Sequence, residues 1–315
     1  MSPGRRHLQL LRRAAAALAG AVAVVVLVAA ISWILLRVLR PTLFPAQPSA
    51  PSQLGHFLER AFLHFDFDRS NAGSQRPVSA LMREGLPVDA VLLGGGLLAG
   101  LAMGVAGGLV CASRRRSVRT RVIETLAAAA ISTPVYVVGL FALLLFGAEI
   151  GDIDVGVGIP VEYVSPGDGI GRWLGSLIVP WLILGLPLAG LLVRAMSSAA
   201  DATLREDFVG AALARGVGRR RILTRHVAPV AALPALGIAS ASGNIMLLNM
   251  VLVERVFSVP GFMREVAGSV RDADVPVLLA LSTAGAAFVV LTSIVFGALT
   301  DAMDPRVRHA AIQEP

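Results

Sequence analysis

The chemistry open to this chain is set by which side chains it lacks as much as by those it has. All 28 basic residues are arginine, because no lysine stands anywhere in the sequence. A P-loop places a lysine on the nucleotide phosphates, and Schiff-base or pyridoxal chemistry needs a lysine amine, so neither can run here. The single cysteine, Cys111, excludes an internal disulfide and any multi-cysteine zinc or iron–sulfur site. Five histidines, His7, His56, His64, His226 and His309, all fall outside the long apolar stretches. His56 and His64 lie close to Asp66 and Asp68, but the spacing matches no diagnostic ligand pattern, and no metal site is expected. A membrane-embedded hydrolase would need a nucleophile and a base at one depth. The apolar stretches offer Ser, Thr, Asn, Tyr136 and Cys111 without a histidine, so no catalytic residue is expected.

Two segments keep a pattern that asks for a function. The first holds Ser240, Ser242, Asn244 and Asn249 within one apolar run, with Glu254 at its outer end. On a helix Ser240 and Asn244 share a face at i,i+4, while Ser242 and Asn249 share another at i,i+7. Polar side chains at that depth either bridge to neighbouring helices or line an aqueous path. The second segment runs from Leu204 to Pro234. Small residues at Gly210, Ala211, Ala212, Ala214 and Gly216 precede a basic cluster, Arg219, Arg220 and Arg221, and then two prolines. A helix with so little bulk suits a partner's groove, or it lies on the membrane with its arginines at the headgroups.

The elements that hold these segments are membrane helices. Hydrophobic residues make up 55% of the 315, charged residues only 16%, and mean hydropathy is +0.73. A soluble domain carries about 25% charged residues. Six runs are long enough to cross hydrocarbon ~30 Å thick: Ala14 to Leu36, Ala90 to Ala112, Thr125 to Gly147, Trp173 to Val193, Ala231 to Val253 and Val275 to Leu299. With both termini cytoplasmic, the inner connections sum to +11 and the outer ones to −4, against a total of +7. Arginine-rich short loops stay on the cytoplasmic side, so an N-in, C-in all-α protein of six spans is expected, and the pI near 11.1 reflects topology, not nucleic-acid binding. The first run spans 23 residues, longer than a signal-peptide core of about 7 to 15, and reads as a retained anchor. The expected organisation is 1–36 for the N-terminus and first span and 37–89 for an extracytoplasmic segment. A core of five spans follows over 90–303, with a cytoplasmic loop at about 199–230, and then a tail over 304–315. In the second span Gly96, Gly100, Gly104 and Gly108 form a stripe that predicts close helix packing. Pro134, Pro180, Pro187 and Pro234 predict kinks.

The Leu204–Pro234 segment resembles the EAA loop of binding-protein-dependent ABC importer permeases. Ala211, Ala212, Gly216 and Pro229 match that pattern in place, whereas its Glu is Gly210 here and its Leu is Ala228. The similarity continues through ISTPVYVVGLFALLLFG (Ile131 to Gly147), LREDFVGAALARG (Leu204 to Gly216), VERVFSVPGFMREV (Val253 to Val266), DADVPV (Asp272 to Val277) and DPRVR (Asp304 to Arg308). Together these are similar to the B-type permease of oligopeptide and dipeptide importers. RPTLFP (Arg40 to Pro45) and the pair Asn249 and Met250 depart from it.

The resemblance implies the type I ABC importer permease fold and a division of labour among subunits. Gly210, Ala211, Ala212, Arg215, Gly216 and Arg219 would couple to one or two cytoplasmic ATPases, which hold the ATP and magnesium; no cofactor belongs to this chain. Ser240, Asn244, Asn249 and Glu254 would border the translocation path if the lining alternative holds. Phe257, Pro260 and Gly261 would shape a gate loop at the outer mouth, beneath a substrate-binding protein. A C-type sister permease would complete the pore in the lipid bilayer. The implied cargo is short peptides, although nickel, glutathione and haem importers share the pattern and a non-transporting scaffold shares the fold.

Overall fold

The computed structural model describes residues 3–44, 49–71, 75–113, 117–146 and 162–303. The expected tail over 304–315, with DPRVR and His309, lies outside these residues, as do Gly147 at the end of the third predicted span and the connection that follows it to residue 161. The helices run in the order α1 Pro3–Leu39, α2 Ala50–Leu63, α3 Val78–Ser113, α4 Val118–Ser132, α5 Val135–Phe146 and α6 Ile170–Thr203. The chain continues through α7 Asp207–Ala214, α8 Arg219–Ile222, α9 Ala228–Ala241, α10 Gly243–Val256, α11 Val266–Arg271 and α12 Val275–Met303. Among the described residues the extended structure amounts to one isolated bridge between Arg69 and Pro77. Five helical stretches are long and apolar enough to cross a membrane, and α4 with α5 makes a sixth if the bent pair counts as one span.

Three elements differ from their sequence-based outline. The second helix begins at Val78, not near Ala90, and its 36 residues extend about 54 Å, well beyond the hydrocarbon. Arg83, Glu84 and Asp89 hide this continuation from a hydropathy reading, yet Val78, Met82 and Asp89 are all buried along it. The third span is not continuous: α4 and α5 meet at 110° across Thr133 and Pro134. The fifth span is helical from Arg219 to Val256 but changes character twice. Leu223–Val227 forms a π turn just before Pro229, which has no N–H to return to Arg225, and Ser242 separates α9 from α10.

The chain divides into two compact units. One comprises Met1–Asp89 with Pro260–Ile294. Its outer part is built on Trp33, Val275 and Leu279, against which Leu36, Phe44, Leu54 and Phe57 pack. Trp33 and Phe44 meet edge to face at 5.3 Å, and the Arg37 guanidinium lies over both rings. Buried Asp274 caps the start of α12 by accepting from the Val277 N–H, and it also accepts from the Ser70 hydroxyl and the Asn71 N–H, so one carboxylate ties the outer segment to a span.

The other unit comprises Ala90–Val259 with Val295–Pro315, and α6 runs through its core. The α3 glycine stripe meets α6 turn by turn. A Cβ on Gly96 would touch Leu184, one on Gly100 the Gly185 carbonyl and Leu188, one on Gly104 Leu192, and one on Gly108 Met196. On another face of α6, a Cβ on Gly190 would stand 2.6 Å from the Ala127 carbonyl of α4. In lipid, where apolar side chains gain nothing by leaving water, this backbone-to-backbone proximity supplies the dispersion contacts that hold helices together.

Candidate functional site

The small-residue segment forms α7, which Asp207 opens with an acidic side chain in the first turn, favourable toward the helix dipole. Val209 is the buried residue of this helix; Phe208 and Leu213 are exposed at 48% and 52%, and Gly210 and Ala211 are exposed with them. Ala212 is half-buried. The helix ends in a Schellman motif: the Gly216 N–H donates to the Leu213 carbonyl at 2.9 Å and the Val217 N–H to the Ala212 carbonyl at 3.1 Å. Gly216 takes φ +78°, a left-handed conformation that costs a residue with a Cβ roughly 1–2 kcal/mol. Arg215 caps the helix and, like Gly216 and Arg219, is exposed. Between α7 and the ends of α3, α6 and α8 lies a cavity of about 320 Å³, bordered by Ala112, Leu204, Arg205, Val209, Leu213 and Arg219. The result is a short helix seated by one valine, with a low, partly apolar outer surface and arginines at its rear edge.

The polar residues of the fifth span separate by burial. Asn244 is exposed, Ser240 and Asn249 are half-buried, and Ser242 is buried and returns its hydroxyl to the Ile238 carbonyl at 2.8 Å. Among the described residues Asn244 thus faces outward and Ser240 is partly covered, whereas Ser242 is spent within its own helix. Glu254, expected beside the path, is 0% exposed and belongs to no surface of the isolated chain. Its carbonyl accepts from the Val259 N–H at 2.9 Å, closing α10 in the manner of α7, with Ser258 at φ +54° in the place of the glycine.

Around the expected gate loop, Phe257 is buried against Gly139 of α5, and its carbonyl accepts from the Tyr163 N–H. Pro260 is exposed and Gly261 is buried. Asp89, a residue not singled out in the sequence, is fully buried on α3 and accepts from the Phe262 N–H at 2.8 Å and the Met263 N–H at 3.3 Å. One turn earlier, Gly85 leaves room for this approach, since a Cβ there would stand 2.4 Å from the Phe262 nitrogen. The only sequence signal for this clamp is a glycine and an aspartate four residues apart near a helix end.

Among the described residues no group of three or more His, Cys, Asp or Glu is placed to hold a metal ion. Asp66 and Asp68 instead face Arg60, which donates to Asp66 at 2.6 Å and to Asp68 at 3.2 Å. Hydrogen bonds from the Arg60 guanidinium, and then from the Asp68 N–H, hold the Asp66 carboxyl below its ordinary range. The same pairing raises the pKa of Arg60.

These features, a multi-span helical body with an exposed short helix at the end of its most buried span, are those of a protein that works through neighbours. Residues 104–309 match the family described as the binding-protein-dependent transport system inner membrane component. This chain belongs to that family. It is a multi-pass inner-membrane protein with the type I ABC importer permease fold. Over 311 residues it is 27% identical to a sequence from Sinorhizobium fredii named a probable peptide ABC transporter permease protein, an overlap of 93% of this chain and 97% of the relative. Over 243 residues it is 25% identical to the dipeptide transport system permease protein of Lactococcus lactis, covering 77% and 76% of the two chains.

Proposed function

We propose that this chain is a pore-forming permease subunit of an ATP-driven importer of short peptides, paired in the membrane with a C-type sister permease. One or two cytoplasmic ATPase subunits supply ATP, magnesium and the hydrolytic chemistry, and an extracytoplasmic binding protein delivers the peptide. The chain itself is not an enzyme and carries no cofactor. In this reading α7 is the coupling helix: Gly210, Ala211 and Ala212 give it a low surface for an ATPase groove, Gly216 ends it, and Arg215 and Arg219 flank the contact. Ser240, Asn244 and Asn249 border the path, Glu254 anchors the outer end of α10, and Phe257, Pro260 and Gly261 belong to the gate loop.

The observation that most supports the reading is α7, an eight-residue helix in which one valine is buried while two large apolar side chains stay exposed. A helix so short is not stable by itself, and an apolar surface beyond the spans is unfavourable unless a partner covers it. The test is ATP-dependent peptide uptake by the assembled transporter in membrane vesicles, with Gly216→Leu beside wild type. The variant is expected to insert and to assemble, and to hydrolyse ATP without driving uptake. Wild-type uptake in Gly216→Leu would refute the coupling role, and absence of peptide uptake in the wild-type assembly would refute the substrate class.

A further inference from the structure

Between α4 and α5 the third span bends by 110° across Thr133 and Pro134. Fifteen residues of α4, about 22 Å of helix, lead to the bend from the cytoplasmic side, and twelve apolar residues of α5 follow it. If the pair crosses as one span, its 27 residues make about 40 Å of helix against ~30 Å of hydrocarbon, and the bend then falls within the membrane. Pro134 contributes no N–H, and Thr133 takes an extended conformation, φ −92° and ψ 129°, so the helical ladder does not pass through. The Val137 and Val138 N–H groups both donate to the Pro134 carbonyl, which leaves the last carbonyls of α4 and the first N–H groups of α5, at Val135 and Tyr136, to find partners outside the ladder.

The side chains at the bend repeat the same demand. Elsewhere in the spans, Ser242, Thr283, Thr292 and Thr300 return their hydroxyls to a carbonyl of their own helix. Among the described residues Ser132, Thr133 and Tyr136 make no such bond. Ser132 is exposed and Tyr136 is 44% exposed. The bend is also held in place. Gly190 of α6 admits α4 at Ala127 and Ile131, and Gly139 of α5 admits Val256 and Phe257, with Val135 and Ala142 buried on the same face. Irregular backbone at membrane depth is tolerated only where protein buries it or water reaches it. Three hydroxyls with no bond among the described residues, two of them on exposed residues, favour water.

We infer that the Ser132–Tyr136 elbow lines the aqueous path and hydrogen-bonds the backbone amides of the transported peptide through the Ser132 and Tyr136 hydroxyls. This deepens the proposed function and rests on it for the identity of the cargo. Hydroxyls offer both donors and acceptors without charge, the pattern that recognises a peptide main chain irrespective of its side chains.

The test uses the assembled transporter in membrane vesicles, with Cys111→Ser removing the one native thiol. Ser132→Cys and Tyr136→Cys are treated with a charged, membrane-impermeant methanethiosulfonate, with Phe141→Cys on the apolar length of α5 as control. The elbow thiols are expected to react at least about tenfold faster than the control, as water-lined and lipid-lined positions differ, and a transported dipeptide is expected to slow them. Reaction no faster than the control would overturn the inference. In uptake assays Tyr136→Phe and Ser132→Ala are expected to raise KM for the peptide about two- to tenfold, the scale of one neutral hydrogen bond; an unchanged KM in both would overturn the contact. Wild-type vesicles that take up no peptide would instead count against the proposed substrate class, while the labelling rates would still decide whether the elbow faces water.

Discussion

The α6 helix carries Pro180 and Pro187 and runs unbroken from Ile170 to Thr203, whereas the single Pro134 parts α4 from α5 by 110°. A proline inside a helix removes one hydrogen bond and costs about 3 kcal/mol relative to alanine, so the cost per residue is alike in the two places and the outcome is not. The difference lies in what surrounds them. Pro180 is buried, and beyond it Leu184, Gly185, Leu188, Leu192 and Met196 are packed against the α3 glycines, so continuing the helix gains contacts at every turn. At Pro134 the two arms are seated separately, α4 on α6 through Gly190 and α5 between α6 and α10, meeting α10 through Gly139. A straight helix could not keep both contacts. Proline permits a break, and packing decides whether the chain takes it.

The largest effect is expected where that packing is tightest. Gly185→Leu would drive a side chain into the Gly96 carbonyl, which stands 2.6 Å from an added Cβ, and into the Gly100 nitrogen at 2.7 Å. A loss of about 3 kcal/mol or more is expected, seen as poor recovery and a lowered melting temperature in detergent. A variant that melts with wild type would remove α3 packing as the reason α6 survives its prolines.

A paired substitution probes the prolines themselves. Pro187→Ala restores an N–H inside a continuous helix and is expected to raise stability by up to ~3 kcal/mol. Pro134→Ala is expected to change the melting temperature much less and to leave the α4–α5 bend in place, because both arms stay seated. Spin labels on the two arms measure the bend; if their separation grows in Pro134→Ala, proline and not packing sets the elbow.

The smallest effect lies outside the membrane, where neither region should respond. Because Arg60 depresses the pKa of Asp66 in the folded state, their pairing contributes fully above the ordinary aspartate value of 3.8 and is lost as pH falls below it toward the depressed value. The melting temperatures of wild type and Asp66→Asn are expected to converge across that acid range. The gap should be small even at neutral pH, since the pair is partly exposed to water. A large gap, or a change in the α4–α5 separation with pH, would mean that the outer segment and the spans are not energetically separate.

Much of the protein was legible before its structure. Apolar runs of sufficient length and the arginine asymmetry lead to six spans, and the spacing of Gly96, Gly100, Gly104 and Gly108 points to the face that α6 occupies. Gly216 was recognisable as a helix end because only glycine readily accepts the left-handed turn found there. Asp89 and Asp274 were not legible as clamps. Their partners are the Phe262 and Met263 N–H groups for one and the Ser70 hydroxyl for the other, each more than 170 residues away in sequence. A local pattern does not record a bond closed by a distant backbone. The elbow was half legible: Pro134 announced a kink, but its size depended on contacts of α6 and α10 that no window around Pro134 contains.

The sequence by itself therefore determined the apolar segments long enough to cross a membrane and the family, because hydropathy, charge and short motifs act within one helix length. Only the tertiary structure decided which prolines bend the chain, which polar residues are spent inside their own helices and which face outward. Those outcomes depend on backbone approaching backbone across the fold, at glycines whose value lies in what they let come near.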